Sequence, residues 1–123
     1  MHSISRILQT AAVFIAAVAI VTSSPSIHAV ENSGTRHVVD IRGLKFQPVE
    51  LVVVPGDIIV WINHDIIPHT ATADDKSWDS KSIGKQGEWQ TNVEPGMTEE
   101  YFCRFHPNMK ARLQITTGAD TAD

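Results

Sequence analysis

The run Cys103-Arg104-Phe105-His106-Pro107-Asn108-Met109 limits the fold of this 123-residue chain more than any other stretch, because it sets a thiol, an imidazole and a thioether side by side. As a continuous strand, Cys103 and His106 would point to opposite faces, since an odd separation reverses the side chain. As a helix, Pro107 would break the segment just after His106. The conformation that remains is a tight loop that leaves a strand at Cys103 and folds back, bringing the three donors towards one point. A further donor is available upstream in Asn63-His64-Asp65-Ile66-Ile67-Pro68-His69-Thr70. Thiolate, imidazole and thioether donors gathered this way make a metal ion the natural occupant.

The rest of the chain reads as short strands punctuated by turns. His37 to Arg42 mixes apolar and polar residues as a half-buried strand does, and Leu44 to Pro48 bends into the next one. Glu50 to Val54 and Ile58 to Asn63 are β-rich runs joined by Pro55-Gly56-Asp57, where Gly56 supplies the positive φ of a turn. Ile58 to Ile62 is apolar on both parities and is expected to be covered on both faces. From Ala73 to Gly87 the sequence is polar, which predicts an irregular connection with one short element around Trp78. Glu88 to Val93 and Met97 to Cys103 are further strands, separated by the turn Glu94-Pro95-Gly96. Lys110 to Thr116 alternates with Ala111, Leu113 and Ile115 inward. Six to eight strands without helical periodicity predict an all-β sandwich in a single domain over 36–116, with a polar lead-in at 30–35 and a fraying tail at 117–123.

Residues 1–29 read as a secretory signal peptide, with Arg6 ahead of an apolar run from Ile7 to Val21 and a cleavage site after Ala29. An uncleaved anchor is the competing reading. The apolar run is about 15 residues and contains Gln9 and Thr10, whereas spanning a bilayer takes about 20. Cleavage leaves about 94 residues with a formal charge of about −5, which gives no electrostatic footprint for nucleic acid and no stable membrane insertion. Either way, the remainder is expected to be exported, to the periplasm. An exported domain of this size often relies on disulfides, yet the single Cys103 can form no internal bridge. Metal ligation accounts for its presence there.

Pro68-His69-Thr70, then Tyr101-Phe102-Cys103 and Cys-x-x-His-Pro-x-Met, resemble the cupredoxin family, with its short-loop amicyanins and the related plastocyanins and pseudoazurins nearest in pattern. The resemblance runs over 36–116. It implies a Greek-key β-sandwich holding one type 1 copper, Cu(I) or Cu(II), with His69, Cys103, His106 and Met109 as ligands. Arg104 stands where the family often has a small hydroxyl residue, and Ala111 where glycine is common. The implied role is a one-electron carrier, monomeric, that docks its redox partner proteins near the imidazole of His106. Ile66, Ile67, Pro68, Phe105 and Pro107 are expected to form an apolar rim around that edge.

Ligand softness agrees with copper, because zinc makes poor use of a thioether. In a His2Cys trigonal site with a weak axial Met, neither oxidation state has its preferred geometry, so little rearranges on electron transfer. Asn63 and Thr70 are expected to bridge the His69 and Cys103 loops, and His37 and His64 to be solvated. Asp65, Asp74, Asp75 and Asp79 form a candidate acidic patch for a basic partner. Trp61, Trp78 and Trp89 are read as packing residues. Copper delivery or tolerance is the alternative function, although Met-rich or His-rich tracts are absent. With no oxyanion donors or third orienting group legible, the chain does not read as an enzyme, and His37, His64, His69 and His106 are too few for an additional trinuclear centre.

Overall fold

A computed structural model of the protein describes residues 12–21 and 34–118. Most of the predicted leader, the lead-in through residue 33 and the tail from residue 119 lie outside the described residues. Residues 12–21 have no regular secondary structure, and among the described residues no helix is long and apolar enough to cross a membrane.

Eight strands follow in chain order: β1 (Arg36–Ile41), β2 (Phe46–Gln47), β3 (Glu50–Val53), β4 (Ile58–Asn63), β5 (Thr72–Ala73), β6 (Glu88–Asn92), β7 (Glu100–Cys103) and β8 (His106–Ile115). They form two four-stranded sheets, ordered β2-β1-β4-β6 and β3-β8-β7-β5. Each sheet contains one parallel pair, β1 with β4 and β3 with β8, and antiparallel neighbours otherwise. The parallel pairs arise because the chain crosses between the sheets before returning to its own.

The inward residues of one sheet, Val39, Ile41, Ile59 and Trp61, meet Val53, Tyr101, Cys103, Ala111 and Leu113 of the other in one buried cluster. At its centre Trp61 lies with ring centroids 5.3 Å from Trp89, 5.6 Å from Trp78 and 5.7 Å from Tyr101. Such aromatic pairs add about 0.5–1.5 kcal/mol each beyond the area they bury. Trp61 is fully buried, and the other two tryptophans pack partly buried against it. The outer face of β4 is covered less than its apolar run predicts. Val60 is fully buried between Val38 and Gln90, its partners in register, but Ile58 and Ile62 are only half-buried.

Two local readings need correction. β8 starts at His106, four residues before the alternation becomes legible, with Cys103 opposite His106 and a register shift between Phe102 and Cys103. Pro107 is tolerated because β3 does not join the other edge of β8 until Arg112, so the missing N–H leaves no gap in that ladder. The short element expected around Trp78 is instead β5, with an isolated bridge from Thr72 to Asp79. The sandwich thus has two ends. One carries the turns after β1, β4 and β7, together with residues 81–87. The other carries the Pro55-Gly56-Asp57 and Glu94-Pro95-Gly96 turns, and a hollow of about 520 Å³ between Pro55, Pro95 to Glu100 and Ile115 to Thr117 lies there.

Candidate metal centre

Cys103 ends β7 fully buried, and a two-residue turn, Arg104-Phe105, returns the chain to His106. The loop inferred from parity is therefore a hairpin. The opposed pair Cys103 and His106 places Sγ 3.6 Å from His106 Nδ1. His69 arrives from the loop after β4, where its backbone exchanges two hydrogen bonds with Ile83 (3.1 and 2.7 Å) and its side chain is fully buried. Its Nδ1 lies 3.7 Å from Cys103 Sγ. The donor atoms of His69, Cys103 and His106 all lie within 4.8 Å of one another.

Those spacings suit donors that share one ion. Bonds of about 2.3 Å from a thiolate and about 2.0–2.1 Å from an imidazole, opened by roughly 110–120°, set sulfur and nitrogen about 3.6–3.8 Å apart. Met109 is buried on β8 in the cluster that also holds Cys103, three residues beyond His106. The tertiary structure thus gathers the buried His69 and Cys103 with the half-buried His106, the outermost of the three. His37 and His64 lie apart, hydrogen-bonded to Asp57 (2.8 Å) and Asp40 (2.6 Å).

Surrounding hydrogen bonds fix each of these groups. The Thr70 backbone N–H points at Cys103 Sγ (3.3 Å), and Thr70 Oγ1 accepts from the Arg104 N–H (2.8 Å). Thr70 therefore links the two loops, as expected. Asn63 does not reach the Cys103 loop. Its buried amide instead donates to the Ile67 and Ile83 carbonyls (2.9 and 3.0 Å) and its Oδ1 accepts from the Asp65 N–H (2.9 Å), which pins the His69 loop to itself.

The residue that sequence reasoning missed is Asp65. Its carboxylate lies 2.9 Å from His69 Nε2 and also accepts the Gly43 and Leu44 N–H groups at 2.8 and 3.0 Å. A carboxylate there leaves Nδ1 as the nitrogen free to ligate and fixes the orientation of the ring. The Leu44 donor, then those of Gly43 and His69, outweigh the cost of burial and hold the Asp65 carboxyl below the ordinary value. Gly43 and Leu44 form the β1–β2 turn with φ of 60° and 56°. A branched side chain in the left-handed region is unusual, and it occurs here where both amides must face one carboxylate. The i, i+4 spacing of Asp65 and His69 was the only sequence signal.

Asp79 is also committed. It accepts from Thr72 Oγ1 (3.1 Å), the Lys81 N–H (2.8 Å) and Arg104 Nη1 (2.7 Å). Thr70 and Thr72 share a hydroxyl contact of 2.9 Å, so Arg104, Thr70, Thr72 and Asp79 close a polar ring behind the Cys103 turn. Burial raises the Asp79 carboxyl, and those donors more than offset it. The four aspartates read as an acidic patch therefore do not form one. Asp65 and Asp79 are engaged at the donor end, whereas Asp75 binds Ser77 and Thr98, and Asp74, whose backbone N–H donates to the Glu100 carbonyl, lines a hollow with Phe102, Pro107 and Lys110.

No protein-family model matches the chain. A solved structure of a purple cupredoxin from Nitrosopumilus maritimus, 20% identical, superposes with a TM-score of 0.59 over 65% of this chain and 99% of that one, a likeness of fold. That architecture is the cupredoxin fold, and the donor set sits within it. In sequence as well as fold it is similar to amicyanin. It is 26% identical over 83 residues to the amicyanin of Paracoccus denitrificans, a match spanning 63% of each chain. A reduced Cu(I) form of an amicyanin variant superposes with a TM-score of 0.59 at 26% identity, over 66% of this chain and 82% of that one.

Proposed function

We propose that the protein is an exported one-electron carrier that binds a single type 1 copper through His69, Cys103, His106 and Met109, and that it has no substrate chemistry of its own. The observation that supports this most is the pair of 3.6 and 3.7 Å separations from Cys103 Sγ to two imidazole nitrogens inside a sandwich of cupredoxin topology. A copper ion held there supplies reversible Cu(I)/Cu(II) chemistry.

The chain's own residues keep the rearrangement small. Backbone bonds to Ile83 and the Asp65 carboxylate fix the His69 ring, and Thr70 holds the Cys103 turn through two hydrogen bonds. Burial of Cys103 and His69 keeps water from the thiolate. Met109 would supply a soft, weak thioether donor that contributes to the potential. His106 would hold the metal through Nδ1, the nitrogen 3.6 Å from Cys103 Sγ, leaving its opposite ring edge, between exposed Phe105 and Pro107, as the route by which electrons would enter and leave. Residues 1–29 act as the export leader in this reading, delivering the domain to the periplasm.

The test is an electronic and spin-resonance spectrum of the copper-loaded protein, followed by voltammetry. Intense thiolate-to-copper charge transfer and a reversible one-electron wave are expected. A colourless copper adduct, or one that does not cycle, would refute the carrier role.

A further inference from the structure

At the donor end six Lys and Arg stand against five carboxylates, three of them (Asp40, Asp65 and Asp79) engaged by internal partners and two (Asp74 and Glu88) exposed, so the surface around His106 carries a charge opposite to that of the whole chain. Six of the chain's ten Lys and Arg residues lie there: Arg42 and Lys45 in the β1–β2 turn, Lys81 and Lys85 ahead of β6, Arg104 in the β7–β8 turn, and Lys110 early in β8. All six are exposed. Arg104 and Lys81 are neutralised by Asp79, whereas Arg42, Lys45, Lys85 and Lys110 make no ion pair among the described residues. Lys45 and Lys110 line one small hollow with Asn108 and Met109, so their charges stand directly beside the ligand loop.

The acidic side of the end is spent differently. Asp65 faces His69, Asp40 faces His64 and Asp79 faces Arg104, each within hydrogen-bond distance, which leaves Glu88 at the start of β6 and Asp74 beside Pro107 and Lys110 as the exposed carboxylates of this end. Asp75, Glu94 and Glu99 are instead grouped around the hollows of the far end. The chain's formal charge of −4 therefore conceals a dipole with its positive pole at the donor cluster. At the middle of that pole Ile66, Phe105 and Ile67 are 81%, 51% and 41% exposed.

We propose that this end is a docking face for a protein whose redox centre is ringed by acidic residues, the cations orienting the encounter and the apolar centre making the brief contact. The inference rests on the electron-carrier reading and gives the partner its chemistry. Like charges set opposite one another would slow encounter, and opposite charges accelerate it. A basic partner, the one an acidic patch would attract, is disfavoured at this face.

Two small oxidants of opposite charge serve as probes. Hexacyanoferrate(III), an anion, and tris(phenanthroline)cobalt(III), a cation, each take one electron from the reduced copper-loaded protein, giving Fe(II) or Co(II) and the oxidised protein. The rate with hexacyanoferrate should fall about three- to tenfold as ionic strength rises from about 0.01 M to 0.15 M, the range over which screening shortens from roughly 30 to 8 Å. Lys45→Glu and Lys85→Glu should lower the low-salt rate and flatten that slope with the visible spectrum unchanged, while Glu94→Gln at the far end leaves both as they were. A rate that rises with salt, as a uniform charge of −4 demands, or one indifferent to salt and to both lysine variants, would overturn the proposal.

A second readout does not depend on cycling. Poly-glutamate titrated into the same reduced protein should shift the amide resonances around Arg42, Lys45, Lys85 and Lys110, and shifts confined to other surfaces would refute the docking face even where the protein exchanges electrons. Failure to react with either oxidant, beside the expected amide shifts, would instead sink the carrier reading and spare the charge assignment. Binding to phosphatidylglycerol vesicles at 0.15 M salt in place of these responses would assign the cations to a lipid surface and overturn the proposal as well.

Discussion

Two imidazole–carboxylate clamps of the same design sit at opposite ends of the sandwich. At the donor end Asp65 takes the Gly43 and Leu44 N–H groups and faces His69 Nε2. At the far end Asp57 takes the Thr35 and Val54 N–H groups at 2.9 and 3.1 Å and faces His37 Nε2 at 2.8 Å. Each carboxylate therefore ties together turns that are distant in sequence. What separates them is the other face of the ring, since His69 presents Nδ1 to Cys103 Sγ while His37 lies half-buried at the start of β1. A clamp becomes part of a metal site only where a second donor is waiting. The same hydrogen bonds otherwise hold two turns closed.

The most damaging way to break the donor end is Cys103→Ala. It should abolish the charge-transfer colour and the one-electron wave while the apo sandwich stays folded by far-ultraviolet circular dichroism. Loss of the fold would instead make Cys103 a core residue first.

Removing one oxygen's charge from each clamp sharpens the contrast. Asp65→Asn should weaken copper binding about 10- to 100-fold, the usual cost of losing a ligand's outer partner, measured by competition with a chelator. Asp57→Asn should leave copper affinity unchanged and destabilise the fold by about 1–3 kcal/mol in urea unfolding at pH 7, because it weakens a buried ionic acceptor of three hydrogen bonds. Equal losses of affinity from both variants would erase the distinction.

The Asp57 effect depends on pH. Burial raises its carboxyl, but the Val54 amide, His37 and the Thr35 amide outweigh that and hold it below the ordinary value of 3.8. A depressed folded value gives stability that is fully present above the unfolded value and is lost as pH falls through the folded one. The gap between the parent and Asp57→Asn should thus be constant above about pH 5 and narrow below about pH 4. A gap that widened in acid would contradict the assignment.

Smaller changes probe geometry alone. Met109→Leu should keep the copper and raise the reduction potential, because a donor that favours Cu(II) is lost, and an unchanged potential would argue against axial ligation. The mildest variant is Leu44→Gly. The left-handed backbone costs a branched residue about 1–2 kcal/mol, and the added chain entropy of glycine returns about 0.5–1 of it. A net gain of about 0–1.5 kcal/mol in chemical unfolding is expected, with copper affinity retained because both amides still face Asp65.

Much of the donor end was legible because its parts are local. Cys103, His106 and Met109 lie within one turn of chain, so parity and Pro107 alone demanded a fold-back, and the hairpin supplies it. His69 followed from its place after an apolar strand that had to be central. The role of Asp65 was hidden because two of its three donors come from a turn more than twenty residues upstream, and no spacing rule connects Asp65 to Gly43. The acidic patch misled for the same reason. A run of carboxylates looks alike in sequence whether it faces water or backbone amides, and only the packing of Arg104 against Asp79 and of Leu44 against Asp65 separates the two.

The sequence by itself determined the β character, the turns and the nearness of Cys103, His106 and Met109 along the chain, since periodicity and short-range stereochemistry act within a few residues. Only the tertiary structure decided which nitrogen of His69 faces the thiolate, which carboxylates are spent internally, and that the surplus cations gather at one end. Those outcomes depend on hydrogen bonds and charges meeting across distant turns, and the closing of two sheets around Trp61 is what brings the turns together.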